Sequence, residues 1–222
     1  MSLLYPDSVD RLLEMTGPPT DDVLEAMDRR AEREGFPHVG PAVGRTLALC
    51  TRLLGARSAL ELGSGFGYSA YWIARALPPD GEVVLIERDG TLLDDARASF
   101  ERGGLADRAT FERGDAIEIA TALDRSFDLV VLDHDTATYV DGFEAVRESI
   151  RPGGAIVADN VVATDGGLTV DDLIATLEGQ PAPTERARYT AEYYRHVLDQ
   201  SDIETTVLPV GEGVAISCRT DR

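Results

Sequence analysis

One stretch constrains the chain more than any other: Ala59-Leu60-Glu61-Leu62-Gly63-Ser64-Gly65-Phe66-Gly67-Tyr68-Ser69. A short apolar run ends in glycines at alternate positions, and a helical pattern over 68–77 follows. That pattern predicts a strand, a tight turn and a helix, with the backbone left bare at the turn. Bare backbone lets a bulky nucleotide-like ligand approach the strand ends. The spacing excludes a dinucleotide fingerprint, because G-x-G-x-x-G would need glycine where Tyr68 stands. No Gly-Lys-Ser/Thr follows, so a P-loop is excluded too. Glu61 would repel phosphate but suits a cationic group such as an α-amino group or a sulfonium. The plain alternative is an ordinary glycine-rich βα turn.

Strands and helices alternate from residue 58 onward. Strands are expected at 58–62, 82–86, 109–112, 128–132 and 155–158, with helices at 68–77, 91–102, 116–123 and 139–150. This order implies a parallel sheet covered by helices on both faces. Val130, Val131 and Leu132 form the uninterrupted apolar run of a strand buried on both sides. Arg151-Pro152-Gly153-Gly154 reads as a turn before the fifth strand. Two final strands, 203–210 and 214–218, are separated only by Gly211-Glu212-Gly213, a link so short that the pair must be antiparallel. Residues 1–57 hold helical patterns at 8–15, 21–34 and 43–54 and no strand. We read them as a helical cap over the carboxyl edge of the sheet, within a single domain over 1–222. The fold class is α/β: a mostly parallel seven-stranded sheet ending in an antiparallel hairpin.

Charge narrows the partners. The 222 residues include 40 acidic and 21 basic side chains, a formal net charge of -19, and every basic residue is arginine. The acids are spread along the chain, so the whole surface is strongly negative. Such a surface repels itself in dilute salt and is screened in concentrated salt. A halophilic source is the expectation, with an acidic protein of high genomic G+C content as the alternative. Nucleic acid is a poor partner, since binding it needs Lys and Arg against phosphates. Cys50 and Cys218 form no metal or disulfide pattern and read as core thiols. The first residues lack a basic region followed by an apolar one, and no apolar run approaches the roughly 20 residues that span a membrane. A soluble cytoplasmic protein is expected.

Ligands of open α/β sheets bind at the carboxyl ends of the strands. Here each expected strand end carries an acid or an amide: Glu61, Glu87, Asp115, Asp133, and Asp159 with Asn160. Glu87, after an apolar strand, can accept both hydroxyls of a ribose. Asp115 either accepts from an adenine amino group or caps the next helix. Asp133, Asp159 and Asn160 supply three oxygens that suit a hard divalent cation such as Mg²⁺. Alternatively, Asp133 serves only an organic cofactor and Asp159-Asn160 is an ordinary turn.

Taken together these residues resemble the cation-dependent O-methyltransferases that use S-adenosylmethionine, of the catechol and caffeoyl-CoA type. The resemblance runs from about Phe36 to Cys218. Its carriers are Leu60-Glu61-Leu62-Gly63 with Gly67-Tyr68-Ser69, Glu87, Asp133 with Tyr139, Gly153-Gly154 leading to Asp159-Asn160, and the tail Val207-Leu208-Pro209-Val210-Gly211. The Asp159-Asn160 pair discriminates, because methyltransferases at large do not need it. The resemblance implies a Rossmann-like methyltransferase fold. It implies Gly63, Ser64, Gly65, Tyr68 and Ser69 along the methionine part of S-adenosylmethionine, with Glu61 near it. Glu87 would hold the ribose, and Asp115 and Ala116 would flank the adenine. Asp133, Asp159 and Asn160 would bind the metal, His134 would sit beside the cofactor, and His38 and Val39 would reach over it from the cap. A homodimer is implied by the same analogy.

One departure matters. The family carries a lysine three residues after the first metal-binding aspartate, as general base; here Thr136 stands there, and the chain has no lysine. A bound cation lowers the pKa of a coordinated hydroxyl, and Asp133 and His134 become the candidate catalytic residues, His134 as proton acceptor, with Asp135 near. The expected activity is methyl transfer to a small hydroxylated acceptor, with Phe36, Trp72 and Tyr139 as candidate apolar walls. The rivals are a metal-independent methyltransferase of the same fold and a non-catalytic S-adenosylmethionine-binding protein.

Overall fold

The computed structural model describes residues 4–165 and 167–220. The strands are β1 (Ser58–Leu62), β2 (Glu82–Glu87), β3 (Ala109–Arg113), β4 (Phe127–Leu132), β5 (Ile150–Ala158), β6 (Ile203–Leu208) and β7 (Val214–Arg219). They form one sheet in the order β3-β2-β1-β4-β5-β7-β6. The first five are parallel; β7 runs antiparallel to β5 and to β6. The expected sheet and its closing hairpin are both present.

The strands alternate between two apolar layers, as period-2 geometry requires of a sheet buried on both faces. Ala59, Val83, Leu85, Leu129 and Val131 face one layer. It is completed by α2 (Asp22–Glu34), α3 (Gly40–Leu53), α4 (Tyr68–Ala76) and α5 (Gly90–Arg102). Leu60, Leu62, Val84, Val130 and Leu132 face the other, under α6 (Ala116–Ala122), α7 (Tyr139–Arg147), α8 (Val170–Leu177) and α9 (Glu185–Leu198). The N-terminal α1 (Asp7–Thr16) packs beside α3.

Helix ends follow local chemistry. Asp21 accepts from the Val23 and Leu24 amides to start α2, and Gly35, at φ 61, ends it in the left-handed region. Asp89 starts α5 and Asp115 starts α6 by the same device.

Three readings need correction. The Arg151-Pro152-Gly153-Gly154 turn lies inside β5, where the register with β4 shifts between Phe127 and Leu129; Pro152 and Gly153 bulge outward and stay exposed. Two helices, α8 and α9, occupy a region where no element was expected. Cys50 and Cys218 are half-buried free thiols rather than core residues. No helix among the described residues is long and apolar enough to cross a membrane.

Candidate functional site

The glycine turn is built as its sequence demands. Gly63, Gly65 and Gly67 have φ of 83, 52 and 84, a region open to glycine at little cost. Gly63 also lies against the next strand end: a Cβ there would stand 2.5 Å from the Asp133 carbonyl oxygen. The Gly63 and Ser64 amides donate to the Ile86 carbonyl at 3.0 and 3.1 Å, which ties the turn to the end of β2. The Asp133 amide donates to the Leu62 carbonyl (3.0 Å) and the Asp159 amide to the Leu132 carbonyl (3.1 Å). The parallel ladder therefore runs one residue past the strands and brings Gly63, Asp133 and Asp159 side by side.

Above them opens a cavity of about 1320 Å³. Every candidate cofactor, catalytic and metal residue except Glu61 lines it: His38, Val39, Gly63, Ser64, Gly65, Tyr68, Ser69, Glu87, Asp115, Ala116, Asp133, His134, Asp159 and Asn160. Glu61 lies just beneath, fully buried, hydrogen-bonded to the Ser69 hydroxyl. Its Oε2 has no partner, and burial pushes its pKa up to about 7 against the pull of Ser69. A buried carboxylate with an idle oxygen, under a turn of bare backbone, fits a cationic ligand group.

Glu87 accepts from the Gly65 amide at 2.9 Å and from the Asp89 amide at 2.8 Å. Each of its oxygens keeps a lone pair for a diol. Asp115 caps α6 through Oδ1, while Oδ2 accepts from Arg88 at 2.7 Å. The Glu118 amide, followed by Arg88, holds its carboxyl below the usual range. The cap is thus present, and its oxygens have protein partners.

Asp133 and Asp159 form the acidic centre. Burial first, then Asp159 and Glu61, raise the Asp133 pKa; burial likewise raises that of Asp159. Asp159 Oδ1 is buried without a partner, and Asn160 donates from Nδ2 to Asp133 Oδ1 at 3.1 Å. Asn160 is the one non-glycine residue among the described residues with positive φ, 60, a strained position of the kind that clusters at ligand sites. The Tyr139 hydroxyl fixes this end of β5 by donating to the Asp159 carbonyl at 3.1 Å. No set of three or more His, Cys, Asp or Glu side chains among the described residues is arranged to hold a metal. The set here is two carboxylates and an amide, with one idle oxygen and mutual repulsion. That donor chemistry fits a hard cation, which would relieve the repulsion and occupy the idle oxygen.

His134 lies between cavity and core. Its Nε2 is 3.2 Å from the Thr138 carbonyl, which can only accept, so Nε2 carries the proton. Nδ1 is buried without a partner, and burial lowers the pKa. Asp135 is exposed and caps a short 3-10 helix, Thr136–Thr138, in which Thr136 is only 4% exposed and lies outside the cavity. From the loop between α2 and α3, His38 stacks 4.4 Å from the Tyr68 ring, accepts from the Gly40 amide on Nδ1 (3.2 Å), and has Nε2 3.8 Å from Asp28. Of the expected apolar walls, Phe36 lines the cavity. Trp72 and Tyr139 are core residues: Trp72 lies under Gly44 of α3, and Tyr139 packs between His134 and Tyr193.

The sequence reading missed Arg186, Thr164 and Glu212, which line the same cavity; Arg186 and Glu212 act on the charge of Asp159. No motif marks them. The helical spacing of Ala187, Ala191, Tyr194 and Val197, all buried on α9, is the one signal that would have put Arg186 on a helix facing this region.

Comparison with known proteins agrees with this geometry. A family model described as O-methyltransferase matches residues 21–220. A catechol O-methyltransferase of Niastella koreensis is 36% identical over 163 residues, covering 70% of this chain and 73% of that protein. A catechol O-methyltransferase of Mycobacterium tuberculosis is 32% identical over 170 residues, 75% of this chain and 77% of that one. Among solved structures, the O-methyltransferase TomG of Streptomyces achromogenes, in complex with SAM, superimposes with a TM-score of 0.83 at 27% identity, covering 96% of each chain. An O-methyltransferase from Bacillus cereus in complex with SAH gives 0.83 at 27% identity, covering 96% of this chain and 97% of that one.

Proposed function

The chain belongs to the O-methyltransferase family, and from that premise we propose that it transfers a methyl group from S-adenosylmethionine to an oxygen of a small hydroxylated acceptor, with a divalent cation held by Asp133, Asp159 and Asn160. The observation that carries this reading is the meeting of the bare Gly63 turn with the Asp133–Asp159 pair, whose idle oxygen and mutual repulsion a cation would satisfy.

Bound there, S-adenosylmethionine would supply an electrophilic methyl on a sulfonium, and a divalent cation would make a coordinated hydroxyl more acidic. The chain's own residues do the rest. Glu61 offers a carboxyl beneath the turn, close to the positive part of the donor, whose charge would hold it ionised. Glu87 accepts from a diol, and Ala116 with the capped start of α6 flanks the base. His38 and Val39 close the cavity from the cap and exclude water. Ser64, Gly65, Tyr68 and Ser69 shape the floor. Asp133 and Asp159 orient the acceptor oxygen, and alignment of nucleophile and methyl carbon accounts for much of the rate. For the leaving proton, His134 offers Nδ1 as the basic nitrogen, and Thr136 offers nothing. Within this reading residues 1–57 are the cap and 58–222 the α/β core of one methyltransferase domain. The reading also takes in a cytoplasmic homodimer from a salt-rich source, working apart from nucleic acid and membranes.

The test is transfer of labelled methyl to a panel of hydroxylated acceptors at high salt, with Mg²⁺ and with chelator. We expect transfer that chelator abolishes and that Asp159→Ala and Asn160→Ala lose. Transfer indifferent to chelator and to both substitutions would leave a metal-independent methyltransferase. Donor binding without transfer to any acceptor would leave a non-catalytic protein.

A further inference from the structure

The cavity has a polar end that the methyl-transfer reading does not use. Arg186, on the first turn of α9 and near enough to Asp159 to offset its charge, and Thr164, after β5, both line it. Thr164 is 7% exposed, and its Oγ1 is buried without a partner. Arg186 Nε is likewise buried without a partner, and Nη2 makes only a long contact, 3.4 Å, to the Asn160 carbonyl. No carboxylate among the described residues pairs with Arg186 within 4 Å, whereas another cavity arginine, Arg88, donates to Asp115 at 2.7 Å. Idle buried N–H and O–H groups are costly unless a ligand oxygen meets them. The two sit on a rigid frame: the Thr184 hydroxyl donates to the Gly167 carbonyl at 2.9 Å and also caps α9, and the Thr164 amide donates to the Leu168 carbonyl at 3.0 Å.

We propose that Arg186 and Thr164 read a carboxylate on the acceptor, so that the substrate is a hydroxylated acid rather than a neutral hydroxylated compound. This rests on the acceptor and cation reading given above. Local charge sets a condition. Arg186 faces three carboxylates, Asp133, Asp159 and Glu212, whose charges it offsets in part; Asp165 at the rim is exposed and solvent-screened. A divalent cation held by Asp133 and Asp159 would offset the charge of those two. With those two offset, only Glu212 still draws on the guanidinium, which can then meet an incoming anion in the fork geometry that arginine offers a carboxylate. Carboxylate recognition therefore depends on the cation.

Calorimetry on the full chain, at high salt with Mg²⁺ and S-adenosylhomocysteine, tests this. The probes are 2,3- and 3,4-dihydroxybenzoate, each against its own primary amide. We expect one acid to bind about tenfold or more tighter than its amide. The preference should fall to about threefold or less in Arg186→Gln, return in part in Arg186→Lys, weaken in Thr164→Val, and vanish without Mg²⁺. Equal binding of acid and amide by the unmodified protein overturns the proposal, whatever the variants do. So does an Arg186→Gln protein, folded by its melting curve, that keeps the full preference. Methylation of neutral catechol, measured in parallel, separates the two readings. If catechol is methylated with Mg²⁺ and acids gain nothing, only the carboxylate assignment fails. If no probe binds and catechol is untouched, the acceptor reading fails with it.

Discussion

Glu61 shows how one side chain can couple stability to ligand. Its carboxyl titrates near 7 in the folded protein because burial disfavours the charge, whereas the unfolded chain releases that proton near the ordinary glutamate value. Between those two points the folded state holds more protons than the unfolded one. Stability therefore falls as pH rises from about 4.5 through about 7. Replacing Glu61 with Gln should make that slope shallower, leaving the part that Asp133 and Asp159 contribute, and raise stability at pH 8 by about 1–3 kcal/mol, while S-adenosylmethionine affinity drops about tenfold or more. Melting curves across pH and donor calorimetry check both; a variant that binds the donor normally would exclude Glu61 from its site. Gly63 is constrained from two sides, by its φ of 83 and by the Asp133 carbonyl 2.5 Å from any added Cβ. Gly63→Ala should cost about 1–3 kcal/mol and abolish donor binding. At Gly65 the nearest atom is Phe36 Cε1 at 3.5 Å, so Gly65→Ala should cost only about 1–2 kcal/mol; denaturant titration of the two variants distinguishes them. Such residues were legible early because their surroundings are local in the chain. Whether Asp115 caps its helix was not decidable from sequence, since a cap and a ligand contact use the same carboxylate. The position of Arg88 adds a second partner that no motif reveals.

At the scale of elements, α9 is where most was missed. Its apolar positions follow helical spacing, but charged residues crowd between them, and the loop before it offers few landmarks. The β1-to-α4 unit was easier because glycine punctuates it and a strand and a helix flank it. The fold of β5 over Pro152 and Gly153 misled for the opposite reason. Strong turn residues were tolerated inside a strand because they bulge away from the partner. The structural value of α9 can be measured through its cap. Thr184 Oγ1 accepts from the Ala187 amide at 3.1 Å and donates to the Gly167 carbonyl at 2.9 Å. Thr184→Ala should lower stability by about 1 kcal/mol and raise the acceptor KM more than it lowers kcat, because it loosens the frame under Arg186 and Thr164. Urea unfolding and steady-state kinetics would report the two effects separately.

For the whole molecule, net charge dominates. A surface of -19, with arginine as its only basic side chain, should make the fold depend on salt. We expect the melting temperature to rise steadily as KCl is raised from near zero to molar concentration, in step with screening of long-range repulsion; a flat dependence would remove the salt-rich source from the reading. The sequence by itself determined the mostly parallel sheet with its closing antiparallel hairpin, the cofactor-type turn, and the acids at the strand ends. Those follow from apolar periodicity and glycine placement, which are written residue by residue. Only the tertiary structure decided which of those acids share a cavity, that Asp159 keeps an idle oxygen, that Thr136 is buried away from the site, and that Arg186 arrives from a distant helix to face Asp159. Each of these depends on distances between segments far apart in the chain, fixed by packing both faces of the sheet, and no local pattern encodes such distances.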